Sequence, residues 1–143
     1  MTTRVLAAHD KADFLQLLEF NLVGQGFQVT CAANGMQALR KARSELPDLV
    51  LLDLMLPDLD GFSVSEILHA QPSTRDIPVI LLTSFEDDAI RIRGAQANVS
   101  LFFTKGTNLR CLGDYIRAVC EEHQLGVEMR LAQEEHPAGK LVC

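Results

Sequence analysis

Pro47-Asp48-Leu49-Val50-Leu51-Leu52-Asp53 is the stretch whose reading decides the fold. Four large apolar residues run together between two acids, with no polar residue alternating among them. A strand with one face in water alternates, whereas a short unbroken apolar run is what a parallel strand covered by helices on both faces requires. Val79-Ile80-Leu81-Leu82 reads the same way. Runs of strand length recur at Val5 to Ala8, Gln28 to Ala32, Leu49 to Leu54, Val79 to Thr83 and Leu101 to Thr104, which predicts five strands.

Helical spacing fills the intervals. Phe14, Leu18 and Leu22, with Leu15 beside them, form a stripe that ends before Gly24 and Gly26. Asn34-Gly35 opens a second helix with Ala38, Leu39 and Ala42 on one side and Pro47 as its stop. A third covers Ser63 to Ala70 with Ile67 and Leu68 inward, and a weakly patterned fourth covers Asp87 to Ala97. In the last, Leu109, Leu112, Ile116, Val119 and Cys120 repeat at helical spacing up to His123. Strand and helix thus alternate five times. With right-handed crossovers, that alternation makes an α/β, three-layer, doubly wound (βα)5 sandwich, with its crevice at the carboxyl ends of the strands. The sandwich is expected to occupy residues 1–125, with 126–143 a helical extension or linker.

The chain has 143 residues, 48% hydrophobic and 22% charged, a balance that fits one ordinary globular domain. Its net charge of -6 argues against direct nucleic-acid binding, which depends on a surplus of Lys and Arg. No apolar run approaches membrane-spanning length and the first residues lack the apolar core of a secretory signal, so a cytoplasmic address and no membrane contact are expected. Cys31, Cys111, Cys120 and Cys143 show no zinc-ligand spacing and read as reduced thiols; Cys111 and Cys120 fall on opposite faces of one helix, where no disulfide joins them.

The polar residues gather where the crevice is expected. Strand one ends at His9-Asp10, strand three at Asp53, strand four at Thr83-Ser84, and strand five runs into Lys105. Any one such acid is ordinarily a cap or turn residue. Acid, acid, hydroxyl and amine delivered by four strands to one edge form a set with chemical sense. A carboxylate acts as a nucleophile toward a phosphoryl group only when the two negative reactants are neutralised, which a hard divalent cation achieves with one or two carboxylates, a carbonyl and water. Asp10 and Asp53 supply the carboxylates, the backbone carbonyl of Met55 a third ligand, Lys105 a point charge and Thr83 a donor hydroxyl.

The segment Pro47 to Phe62, with Asp53-Leu54-Met55-Leu56-Pro57-Asp58-Leu59-Asp60-Gly61 at its centre, resembles the phosphoacceptor segment of bacterial two-component response-regulator receiver domains, and the likeness extends over about residues 4 to 123. It implies a flavodoxin-like, chemotaxis-regulator-like sheet of strand order 2-1-3-4-5. It also implies Asp53 as phosphoacceptor, Asp10, Asp53 and the Met55 carbonyl as Mg2+ ligands, Thr83 as switch hydroxyl and Lys105 as the family's lysine. Phe102, three before that lysine, resembles the aromatic switch residue. The implied donor is a sensor histidine kinase or phosphotransfer protein, and the implied output is a two-state surface of helix four, strand five and helix five, which is also a possible homodimer contact. Such a domain is no enzyme beyond catalysing its own phosphorylation and dephosphorylation.

Three departures from the family's pattern stand out. His9 replaces the first of two usual acids and falls in the outer coordination sphere. Gly106 replaces the proline that follows the lysine after a cis bond, so a trans bond is expected; Asn98 stands where glycine is common and tolerates a left-handed conformation. Met55 and Phe85, at positions that govern access of hydrolytic water, are apolar, so a long-lived acyl phosphate is expected. His9 and Gly106 favour an alternative, a pseudo-receiver interaction module that is not phosphorylated; retention of Asp10, Asp53, Thr83 and Lys105 opposes it. An aspartyl phosphatase would want an acid at Met55, and a flavin mononucleotide carrier a Ser/Thr/Gly-rich loop where His9-Asp10-Lys11-Ala12 stands.

Overall fold

A computed structural model describes residues 2–84 and 87–124. The chain alternates β1 (Arg4–Ala8), α1 (Ala12–Gly24), β2 (Gln28–Ala32), α2 (Gly35–Glu45), β3 (Leu49–Asp53), α3 (Gly61–Ala70), β4 (Val79–Thr83), α4 (Asp88–Gln96), β5 (Leu101–Thr104) and α5 (Leu109–Gln124). All strands are parallel, in the order β2-β1-β3-β4-β5. The three-layer sandwich read from the sequence is therefore the fold.

Period-2 alternation in the strands divides the core into two. Leu6, Ala8, Val50, Leu52 and Leu81 face α2 and α3, where Ala38, Leu39, Ala42, Val64 and Leu68 meet them. Val5, Ala7, Leu49, Leu51, Ile80 and Leu82 face the other way, onto Leu18 and Leu22 of α1 and Leu112, Ile116 and Val119 of α5. Leu49 to Leu52 are wholly buried because each successive side chain meets a helix layer; each such leucine is worth roughly 2 kcal/mol relative to exposure.

Boundaries shift where caps act. The third helix begins at Gly61, not Ser63, because the Asp60 carboxylate accepts the Ser63 N–H at 2.8 Å. The third strand ends at Asp53, although Leu54 N–H still donates to Leu82 O at 2.8 Å. The fourth helix starts behind an Asp87 cap and buries only Gly94, which is why its pattern is weak. Asn98 is left-handed as expected (φ 62°); Gly106 has φ 90°, and no described peptide bond is cis. Cys31 and Cys120 are free thiols, but Cys111 is disulfide-bonded, which corrects the reading of four reduced thiols. Opposite helical faces had excluded only the pairing of Cys111 with Cys120. The expected extension at 126–143, Phe85 and Cys143 lie outside the described residues.

Candidate functional site

Parallel strands end at one edge, so consecutive strands bring their last residues together whatever their separation in sequence. Asp53 pairs across the sheet with Leu82, and Thr83 is the next residue of β4. Lys105 N–H donates to Thr83 O at 2.8 Å, which extends the β4–β5 ladder by one residue and sets the lysine beside them. On the other flank, Ala8 of β1 pairs with Leu52 of β3, so His9 emerges beside Asp53, while its own N–H donates to Ala32 O of β2 at 3.1 Å.

The side chains converge on Asp53, which is 2% exposed. Lys105 Nζ lies 2.6 Å from Asp53 Oδ1. The contact is an ion pair without hydrogen-bond angles, and Oδ1 has no hydrogen-bond partner. Buried carboxylate oxygens in folded proteins are almost always satisfied, so an orphan of this kind marks a place built for something further. His9 Nε2 lies 3.9 Å from Asp53 Oδ2, and His9 Nδ1 lies 3.4 Å from Asp10 Oδ1. Lys11 N–H donates to His9 Nδ1 at 3.0 Å, which places the proton of the neutral ring on Nε2, facing Asp53. Burial pulls the His9 pKa below its ordinary value; the charge of Asp53 opposes this, and Lys105 adds to it. His9 Nε2 thus faces Asp53 beyond hydrogen-bond distance, while the other ring nitrogen is occupied by the backbone.

One ligand atom each from His9, Asp10 and Asp53 lies within 4.8 Å of the others. Asp10 is 41% exposed, so it opens this cluster to water. A buried carboxylate, a second carboxylate and a solvent side suit a hard cation that keeps several waters. Met55, 66% exposed, follows β3 by two residues, between buried Leu54 and Leu56. Phe102 does not point at this edge. Its ring is partly buried beneath α4, and a Cβ built at Gly94 would come within 2.1 Å of its Cζ.

Two participants escaped the sequence reading. Phe14, assigned there to a core stripe, has its ring centroid 4.6 Å from that of His9 and 5.9 Å from Lys105 Nζ, and so covers both. Gly94 supplies the room that the Phe102 ring occupies. Helical periodicity marks Phe14 as inward, but cannot distinguish core from site.

The profile of the response regulator receiver domain family matches residues 5–117, and the chain belongs to that family. It is 40% identical over 105 residues to response regulator PleD of Caulobacter vibrioides, covering 73% of this chain and 23% of that protein. It is 28% identical over 142 residues to the alkaline phosphatase synthesis transcriptional regulatory protein PhoP of Bacillus subtilis, covering 99% of this chain and 58% of that one. The chain therefore spans less than two thirds of either relative. Among solved structures it resembles the receiver domain of sensor histidine kinase PA1611 from Pseudomonas aeruginosa, which has a magnesium ion coordinated in its active-site cleft (TM-score 0.78, 28% identity, 85% of this chain and 99% of that one). Among the described residues, no helix is long and apolar enough to cross a membrane.

Proposed function

We propose that Asp53 is the phosphoacceptor of a signalling switch that takes its phosphoryl group, with Mg2+, from a histidine kinase or phosphotransfer protein. The observation that carries this reading is the buried Asp53 carboxylate, with Oδ1 lacking a hydrogen bond and Lys105 at 2.6 Å. The Asp10 and Asp53 carboxylates and the Met55 carbonyl would hold the ion, which when bound neutralises charge between the carboxylate and the incoming phosphoryl oxygens.

The chain's own groups account for the rest. Burial strips water from Asp53 and leaves one of its oxygens available to attack phosphorus. Lys105 follows the charge from the carboxylate to a phosphoryl oxygen, and Phe14, packed against it, limits where the ammonium can go. The Thr83 hydroxyl, at the end of the adjacent strand, donates to another phosphoryl oxygen. His9 adds no anion, so this site attracts the cation with one charge fewer than a pair of acids would give.

A phosphorylated Asp53 biases two states only as far as it interacts differently with each. The family resemblance makes Thr83 and Phe102 the switch residues, the Phe102 ring lying beneath α4, and we assign to the face of α4, β5 and α5, where Ile92 is exposed, both the output and the homodimer contact. Transfer from an intracellular histidine donor implies a cytoplasmic location.

Intact-mass spectrometry after incubation with acetyl phosphate and Mg2+ tests the assignment. One phosphoryl group is expected on the wild type and none on Asp53→Asn. A wild type without adduct, or a variant that keeps it, would overturn the reading.

A further inference from the structure

The loop from Leu54 to Asp60 carries the Met55 carbonyl, and its position depends on what fastens it. Leu54 is tied to β4, and Gly61 N–H donates back to Leu54 O at 2.8 Å. Buried Leu54 and Leu56 anchor the first half. The next fixed point is Asp58. Its Oδ1 accepts the Gly35 N–H at 2.7 Å and its own neighbour Leu59 N–H at 2.8 Å, while Oδ2 accepts the Met36 N–H at 2.9 Å. Gly35 and Met36 open α2, where amide groups have no acceptor within the helix and the dipole favours an anion.

This contact is more than a helix cap, because α2 already has one. Asn34 Oδ1 accepts the Gln37 N–H at 2.8 Å, and the Gln37 side chain accepts the Ala33 N–H at 2.6 Å. The Asp58 carboxylate arrives in addition, from 23 residues away. The approach is close enough to require glycine. A Cβ at Gly35 would lie 2.9 Å from Leu59 Cβ, 3.1 Å from Val64 Cγ2 and 3.2 Å from Asp58 Oδ1. The electrostatics agree: partial desolvation pulls the Asp58 pKa upward, but the N–H groups of Met36, Gly35 and Leu59 outweigh it and hold the carboxyl below its ordinary value.

We infer that Asp58 is a positioning residue for the divalent cation, fastening the loop that presents the Met55 carbonyl to the rigid start of α2. The inference rests on the proposed reading of Asp53 as a cation-dependent phosphoacceptor. Asp58 touches neither ion nor phosphoryl group; it acts by holding in place the loop that carries the Met55 carbonyl.

Isothermal titration of the full chain with Mg2+ alone tests this, with thermal melts in EDTA confirming that each variant is folded. Asp58→Ala is expected to weaken Mg2+ binding about tenfold, the lower end for partners that orient ligands. Asp58→Asn, which keeps one acceptor oxygen, falls between Asp58→Ala and wild type, and serves alone if the alanine variant does not fold. Asn34→Ala removes the ordinary cap of the same helix and is expected to lower the melting temperature while binding Mg2+ as wild type does. Wild-type affinity in both Asp58 variants, or equal weakening by Asn34→Ala, would overturn the inference alone. A wild type that binds no Mg2+ would overturn the reading of the site together with it.

Discussion

Asp48 and Asp53 stand at the two ends of β3, and the fold treats them in opposite ways. At the amino end, Asp48 is exposed and tied into the sheet: Arg4 N–H donates to its Oδ2 at 2.8 Å, and its own N–H donates to Arg4 O at 2.8 Å, which closes the start of the β1–β3 ladder. The Cys120 thiol beside it is pushed up to about 11, by burial first and then by the charge of Asp48, so this end is chemically quiet. At the carboxyl end, Asp53 is buried, has an oxygen without a hydrogen bond, and leans on one ammonium group. A polar group that serves architecture is satisfied by the architecture. One left buried and under-satisfied costs stability, and that cost is the mark of a site.

The contrast is sharpest in what removing each partner does to the metal-free protein. Lys105→Met would leave the Asp53 carboxylate buried without its counter-charge. The expected loss is about 2 kcal/mol, below the range for a wholly buried pair because half of this one reaches solvent. The lysine is 26% exposed, so Asp53→Asn frees an ammonium that can hydrate. Stability is then expected to stay level or rise, even as phosphoryl acceptance is lost. Urea unfolding in EDTA measures both. If Asp53→Asn destabilised the fold as much as Lys105→Met does, Asp53 would be an architectural acid like Asp48 and the comparison would fail.

At the other end the effect should be smaller. Asp48→Ala removes one acceptor from an N–H that water can reach, so a loss of about 0.5–1 kcal/mol is expected. Phosphoryl incorporation from acetyl phosphate should be unchanged. A larger stability loss would mean that the ladder closure at Arg4 matters more than an exposed bond should, and a change in incorporation would mean that the two ends of β3 are coupled.

How far the sequence foretold this follows from the range of the interactions involved. β3 and β4 are legible because unbroken apolar runs have few other uses, and Asp10, Asp53, Thr83 and Lys105 are legible because parallel strands must end together. α4 is faint because its one buried residue is Gly94, whose purpose is a ring on another strand. Phe14 reads correctly as inward, yet nothing in its spacing says that His9 and Lys105 lie beneath it. Asp58 is visible in sequence only as part of a motif, since the amides it holds belong to α2. Each miss is a tertiary contact between residues that local pattern treats separately.

The smallest expected effect tests the neighbour that distinguishes this site, His9. Its folded pKa is lowered, chiefly by burial, from the ordinary 6.5. Below about pH 6.5 the unfolded chain takes up a proton that the folded chain resists, so the unfolded state binds more protons in the window between the folded value and 6.5. Stability of the metal-free protein should therefore fall as pH drops through that window and be independent of His9 above it. Subtracting the His9→Gln profile removes contributions common to both proteins and isolates the slope. The slope should be shallow, because the charges of Asp53 and Asp10 raise the pKa and partly offset burial and Lys105. A difference of the opposite sign, with wild type gaining stability as pH falls, would mean that the imidazole enters the fold as a cation paired with Asp53. The Asp53 carboxylate would then hold two cationic partners from within the protein, Lys105 and His9, and its contrast with Asp48 would weaken.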